Sequence, residues 1–154
     1  MAIPPNVTVD HRALKLTSYL GSGASASVYS YETIEVMPKE TYAVKAARDG
    51  EGQPAMKSLQ HECSILEALQ ECPNVPRVAG FDPAYLVLQP VGELLTYDLM
   101  QELSSSLFKW LPVQLVETLE FAHQRGIVHR DVRPANIIVH LKSMQCPSAV
   151  LIDW

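Results

Sequence analysis

The chain has no cluster of basic residues. Its 12 lysines and arginines are scattered among 17 acidic residues, and the formal net charge is −5. Nonspecific nucleic-acid binding needs Lys and Arg gathered on one surface, so that class of function is disfavoured. Cysteine is scarce too. Cys63, Cys72 and Cys146 form an odd set with no C-x-x-C pair, which argues against a disulfide framework or a thiolate zinc site. Free thiols fit an intracellular, cytoplasmic protein, with the nucleus left open. No apolar run approaches the roughly 18–20 residues that cross a bilayer. The opening "MAIPPNVTVDHRALKL" has two prolines and no long apolar core, so it does not read as a signal peptide. There is no internal repeat and no low-complexity segment.

What is present is ordinary globular composition. Of 154 residues, 47% are hydrophobic and 19% charged, enough to bury one core. Residues 1–14 read as an irregular lead-in. Residues 15–20 ("KLTSYL"), 27–34 ("SVYSYETI") and 41–47 ("TYAVKAA") are rich in β-branched and aromatic residues, which predicts an antiparallel three-stranded meander. The period then changes. Met56, Leu59, Cys63 and Leu66, widened by Ile65 and Leu69, predict a helix over 54–71 with Pro54 near its start and Pro73 past its end. "YLVLQP" (85–90) is a short strand. Residues 112–125 are helical, with Leu115, Val116, Leu119 and Ala122 inward and Gly126 as the C-terminal cap. "NIIVHL" (136–141) and "AVLID" (149–153) predict a hairpin across a polar loop containing Pro147. The fold class is α+β.

Three stretches carry chemistry. "LGSGASASVY" places Gly21 and Gly23 in a strand–turn–strand, where the backbone can approach an anion, or simply make a tight turn. The third glycine of a G-x-G-x-x-G is Ala26, and no helix follows, so neither a dinucleotide fold nor a Walker loop fits. In "TYAVKAA", alternation puts Ala43, Lys45 and Ala47 on one face. Lys45 either needs a counter-charge there or points to water from an edge strand. Glu62 borders the apolar helical stripe and either supplies that charge or bends out to solvent.

The third stretch is "HRDVRPAN", with Asp153 at the end of the next apolar strand. A returning hairpin lets Asp131, Asn136 and Asp153 converge. Such oxygen ligands suit Mg²⁺, and Arg133 adds a cation for a transferring phosphoryl group.

Taken in order, these motifs resemble the protein-kinase family. The resemblance runs over residues 15–154: the glycine-rich turn, "YAVK", the helix with Glu62, "YLVLQP" and "HRDVRPAN…IDW". It implies a small β lobe at 15–88, a hinge at 89–93 and the start of a helical lobe at 94–154. It implies ATP and Mg²⁺ as cofactors and an unidentified protein substrate, with no nucleic-acid or membrane partner. Gly21, Ser22 and Gly23 would cover the phosphates. Lys45 would bind the α- and β-phosphates and pair with Glu62. Leu20, Val28, Ala43 and Ile138 would sandwich the adenine, and the Gln89 carbonyl and Val91 N–H would meet its edge. Asp131 would take the acceptor proton, Arg133 would stand for the usual lysine, and Asn136 and Asp153 would hold magnesium. His129 would pack and hydrogen-bond rather than transfer protons. Trp154 stands where the family has phenylalanine. The activation segment that Arg130 would meet is absent, so a truncated kinase domain is expected, either a fragmentary gene product or one piece of a longer parent chain that supplies the remaining lobe. Transfer to serine or threonine is the expected activity. An inactive nucleotide-binding, pseudokinase-like module and a small-molecule kinase of related fold are the alternatives.

Overall fold

The computed structural model describes residues 4, 6–23, 25–48, 52–103, 105–141 and 147–154, in two units. One unit is Met1–Glu67 with Arg77–Val91; the other is Ala68–Pro76 with Gly92–Trp154. Ala24 of the glycine-rich turn, Cys146 and residues 142–146 of the predicted hairpin loop lie outside the described residues.

In the first unit a six-stranded antiparallel sheet has the order β1-β2-β3-β4-β6-β5. Its strands are β1 (Thr8–Val9), β2 (Arg12–Ser22), β3 (Ala26–Thr33), β4 (Thr41–Ala47), β5 (Arg77–Asp82) and β6 (Tyr85–Gln89). The expected meander is β2-β3-β4, with Tyr29 opposite Val44 and Val28 opposite Lys45. Alternation along β4 behaves as predicted: Tyr42, Val44 and Ala46 are buried, and Ala43, Lys45 and Ala47 lie on the other face. The buried set packs with Tyr29, Tyr31 and Val87 in one core.

The lead-in corrects the expectation of irregular chain. Val7 and Val9 are buried in that same core. β1 pairs with the start of β2 across Asp10 and His11, both at positive φ (48° and 64°). Positive φ at both loop residues is the type I′ pattern that matches strand twist. Leu14 N–H donates to Val7 O at 2.9 Å, and the Tyr31 hydroxyl donates to Pro4 O at 3.0 Å.

Helix α1 (Gly52–Ala68) buries Ala55, Leu59, Glu62, Cys63 and Leu66. The first turn of the stripe is therefore Ala55, not Met56. Met56 is exposed and lines a shallow hollow with Gln53, Lys57, Gln60, Phe81 and Pro83. β5 hairpins to β6 through a turn in which Asp82 Oδ1 accepts from Ala84 N–H at 2.9 Å.

The second unit holds β7 (Glu93–Leu94), α2 (Tyr97–Glu102), α3 (Ser105–Gln124), a 3-10 turn (Pro134–Asn136), β8 (Ile137–Leu141) and β9 (Pro147–Leu151). β8 and β9 form the predicted hairpin, and β7 pairs to the other edge of β8. Pro147 opens β9 opposite Leu141 instead of lying in the loop. Helix α3 starts before Pro112, which sits inside it. Its inward row keeps Leu115, Leu119 and Ala122, but Val116 is exposed and Thr118 is buried instead. The Thr118 hydroxyl donates to Gln114 O at 2.7 Å, which satisfies it inside the apolar row. Gly126 (φ 71°) caps the helix: its N–H donates to His123 O and Ile127 N–H to Ala122 O, the Schellman pattern. Ala68–Pro76 belongs here because Asn74 O accepts from Leu151 N–H at 3.0 Å and Glu71 meets Arg125 at 3.2 Å. No helix among the described residues is long and apolar enough to cross a membrane.

Candidate functional site

In the first unit the decisive contact joins β4 to α1. Lys45 Nζ donates to Glu62 Oε2 at 2.7 Å, with the side chains 14% and 7% exposed. Neither residue turns to solvent, so both open alternatives resolve toward a buried ion pair. Removing two charges from water costs several kcal/mol per ion by order of magnitude, offset only with good geometry and further hydrogen bonds. Burial, with Glu67 and Glu62 nearby, pushes the Cys63 thiol pKa up. Cys63 is thus a neutral neighbour of the pair, not a third charge.

The glycine-rich segment is more strand than turn. Gly21 and Ser22 still belong to β2, opposite Val28 and Ser27, and Gly23 N–H donates to Ala26 O at 2.9 Å. A Cβ on Gly21 or Gly23 would meet nothing within 4 Å. Leu20 is exposed there, while Val28 and Ala43 are half-buried. Gln89 ends β6; its side chain accepts from Arg77 at 2.8 Å and donates to Thr41 O at 3.2 Å. Val91 follows two residues later.

In the second unit the loop between α3 and β8 is organised around four side chains, those of His129, Asp131, Arg133 and Asn136. The Asn136 amide, buried, donates to Asp131 O at 2.9 Å and to Asp131 Oδ2 at 2.8 Å. Arg133 Nε reaches the same Oδ2 at 3.1 Å, both side chains being more than half exposed. His129 is buried: its Nε2–H donates to Ile152 O at 2.8 Å and its Nδ1 accepts from Asp131 N–H at 3.3 Å. Those partners require the Nε2–H tautomer. Ile152 N–H donates to Asn136 O at 2.9 Å. Both backbone groups of Ile152 are therefore held by the loop, one residue before Asp153. Ile138 is buried in β8 between Leu94 and Val150. Arg130 (φ 72°) and Asp153 (φ 68°) are left-handed. Such backbone costs of order 1–3 kcal/mol per residue and concentrates at working sites.

Asn136 spends its N–H₂ on Asp131, which leaves its amide oxygen as the group suited to a cation. One amide oxygen and the Asp153 carboxylate make a sparse, hard donor set. That fits Mg²⁺, which takes one or two carboxylates and completes its shell with water and phosphate. Among the described residues no three His, Cys, Asp or Glu side chains gather into a denser metal site.

The protein-kinase-domain family model matches residues 14–154. The chain belongs to the protein kinase family. This kinase chain is 34% identical over 137 residues to a fission-yeast (Schizosaccharomyces pombe) negative regulator of sexual conjugation and meiosis, covering 82% of the chain and 29% of that protein. It is 31% identical over 162 residues to a Myxococcus xanthus serine/threonine-protein kinase, covering 100% of the chain and 19% of the relative. It is 30% identical over 155 residues to a CBL-interacting protein kinase of Oryza sativa, covering 89% and 32%. The kinase chain thus spans less than a third of the length of these relatives.

Two contributors had no sequence signal, and a third, Trp154, was marked only as standing at the family's phenylalanine position. Asn74 anchors Leu151 through its carbonyl, and its side-chain oxygen accepts from the Ser148 hydroxyl at 3.3 Å. Gln114 clamps β9, accepting from Ala149 N–H at 2.8 Å and donating to Pro147 O at 3.2 Å. Trp154 donates its indole N–H to Leu151 O at 2.8 Å. A lone Asn and a lone Gln have no periodicity to betray them, and the resemblance marks the Trp154 position without its hydrogen bond.

Proposed function

We propose that the chain carries the nucleotide and catalytic-loop residues of a kinase that transfers the γ-phosphoryl group of Mg-ATP to a protein serine or threonine hydroxyl. The Lys45–Glu62 pair carries this reading. A buried ion pair is weak stabilisation, often matched by apolar residues of the same volume. Its placement between alanines suits a polyanionic ligand that the ammonium would meet. Glu62 holds the Lys45 ammonium in position for the α- and β-phosphates. The backbone of Gly21, Ser22 and Gly23 covers the phosphates. Leu20, Val28, Ala43 and Ile138 supply apolar contact to the adenine, and the Gln89 carbonyl and Val91 N–H read its edge. Asp131 orients the acceptor hydroxyl and takes its proton, while Arg133 offsets charge on the transferring group. Asn136 and Asp153 hold magnesium, which neutralises phosphate charge when bound. The serine/threonine preference rests on the similarity to the Myxococcus serine/threonine-protein kinase.

The test is a thermal-shift titration with ATP and Mg²⁺. A ligand that binds only the folded state raises the melting temperature. A magnesium-dependent rise that disappears in Lys45→Met and Asp153→Ala supports the reading. No rise in the wild-type chain rejects it. Transfer to a protein acceptor, abolished by Asp131→Asn, then separates a kinase from an inert nucleotide-binding module.

A further inference from the structure

The β4–β6 ladder runs out just where the chain leaves the sheet. Ala47 N–H donates to Ala84 O at 2.9 Å, and the register goes on to pair Lys45 with Leu86 and Ala43 with Leu88. Hydrogen-bonded pairs recur at every second residue of an antiparallel ladder, so the next rung falls on Thr41 and Pro90. Pro90 has no N–H to give it. The β3 side agrees. Thr33 N–H donates to Glu40 O at 3.0 Å, and Thr41 stands opposite Glu32, one residue out of phase, so its carbonyl turns away from β3 and toward β6. The Gln89 side chain supplies the donor that Pro90 lacks. Its Nε2 donates to Thr41 O at 3.2 Å. Its Oε1 accepts at 2.8 Å from Arg77, the residue directly opposite on β5. A guanidinium only donates, so Arg77 fixes the amide with its oxygen toward β5 and its nitrogen toward β4. One carboxamide therefore ties three strands together two residues before Val91.

We propose that the Gln89 side chain is a positioning group, which replaces the rung that Pro90 cannot make and so sets the 89–91 segment against Ala43 as the slot for the adenine edge. The inference rests on the adenine contacts given above to Ala43 and to the main chain of Gln89 and Val91. Arg77 and Thr41 are exposed, so water competes for both bonds and their net contribution to folding is small. Their effect is on where the segment sits. Gln89→Glu isolates the rung, because a carboxylate still accepts from Arg77 but has nothing to donate to Thr41. Gln89→Met removes both contacts at similar length.

Two readouts are taken on the same proteins. Without ligand, amide hydrogen exchange at 91–92 reports the segment directly. With saturating Mg²⁺, thermal-shift midpoints for ATP and for GTP report the consequence. The two nucleotides carry the same phosphates and differ at the base edge. In both variants exchange at 91–92 should speed up, and the ATP midpoint should rise by about three- to tenfold, as loss of one hydrogen bond predicts, while the GTP midpoint moves by less than about twofold. The ligand-free melting temperature should stay close to wild type. Unchanged exchange, or an unchanged ATP midpoint, overturns the proposal. So does an equal rise for ATP and GTP, or a rise matched by a lower ligand-free melting temperature, which assigns Gln89 to the stability of the sheet alone. A wild type that ignores GTP leaves exchange, melting temperature and the ATP midpoint to decide. If the wild-type chain shows no Mg-ATP response, the nucleotide reading fails and this proposal falls with it. That outcome is read in the wild type, whereas failure of the present proposal alone is a responsive wild type matched by its variants.

Discussion

The Asn136 side-chain nitrogen donates twice to Asp131, to its main-chain carbonyl at 2.9 Å and to its carboxylate at 2.8 Å. With Arg133 on the same Oδ2, one carboxylate oxygen is committed within the loop. Oδ1 is then the oxygen that the proposed mechanism would use to accept the proton of the acceptor hydroxyl. Hydrogen bonds to charged groups contribute about 1.5–3 kcal/mol, so Asn136→Ala should slow phosphoryl transfer roughly ten- to hundredfold or more. Single-turnover rates at saturating ATP and magnesium check this. A rate equal to wild type would remove Asn136 from the mechanism.

The Lys45–Glu62 pair predicts a separation of stability from binding. Glu62→Ala removes the carboxylate 2.7 Å from the buried ammonium, and breaking a buried pair in this way costs about 3–5 kcal/mol. Lys45→Met combined with Glu62→Leu replaces both charges by apolar volume. The double variant should melt near or above wild type, yet show no Mg-ATP-dependent shift. Calorimetry on the three proteins decides it. A double variant as unstable as Glu62→Ala would mean that the pair serves the fold, and the main support for nucleotide binding would go.

Which features were legible depends on periodicity. β4 reads directly because its alternation is clean: Tyr42, Val44 and Ala46 buried, Ala43, Lys45 and Ala47 opposite. Gly126 reads as a cap because only a residue without a Cβ takes φ 71° at low cost there. β1 was hidden because its loop is Asp10-His11, where a type I′ turn normally announces itself with Asn-Gly or Asp-Gly. Met56 and Val116 were misplaced for a common reason. In each case a smaller or polar neighbour, Ala55 or Thr118, takes the inward position. Apolar character alone cannot rank an alanine above a methionine one residue away. In the site, residue identities in "HRDVRPAN" were readable as a motif, but the hub role of His129 depends on Ile152, brought back by the hairpin.

The tyrosine-rich core makes stability fall at alkaline pH. Burial, a hydrogen bond to Glu40 and that residue's charge raise the Tyr42 pKa from 10.0 to about 12. Its hydroxyl donates to Glu40 Oε2 at 2.6 Å, which only the neutral phenol can do. The folded-state pKa lies above the unfolded one. The contribution is therefore fully present below about pH 10 and is lost as pH rises through about 12. Tyr31 and Tyr85 shift in the same direction, chiefly through burial. Melting temperatures between pH 9 and 12 should fall steeply in wild type and less steeply in Tyr42→Phe. Parallel curves would show that Tyr42 ionises freely in the folded chain.

Gly92 is required by space, not by backbone conformation. A Cβ built there would stand 2.7 Å from Val139 O and 3.1 Å from Val139 C, both main-chain atoms. Main chain in a paired strand cannot swing aside as a flexible side chain does, and β7 begins at the next residue, with Glu93 opposite Val139. Gly92→Ala must therefore push β7 off β8 or bend β8 itself. Overpacking of this kind costs about 1–3 kcal/mol. Gly80→Ala is the matched control, because its added carbon would sit 3.7 Å from Val87 in ordinary contact. Denaturant melts should show Gly92→Ala clearly destabilised and Gly80→Ala much less affected. Equal losses would mean that any glycine substitution is tolerated alike, and that the close approach of residue 92 to β8 does not hold in solution.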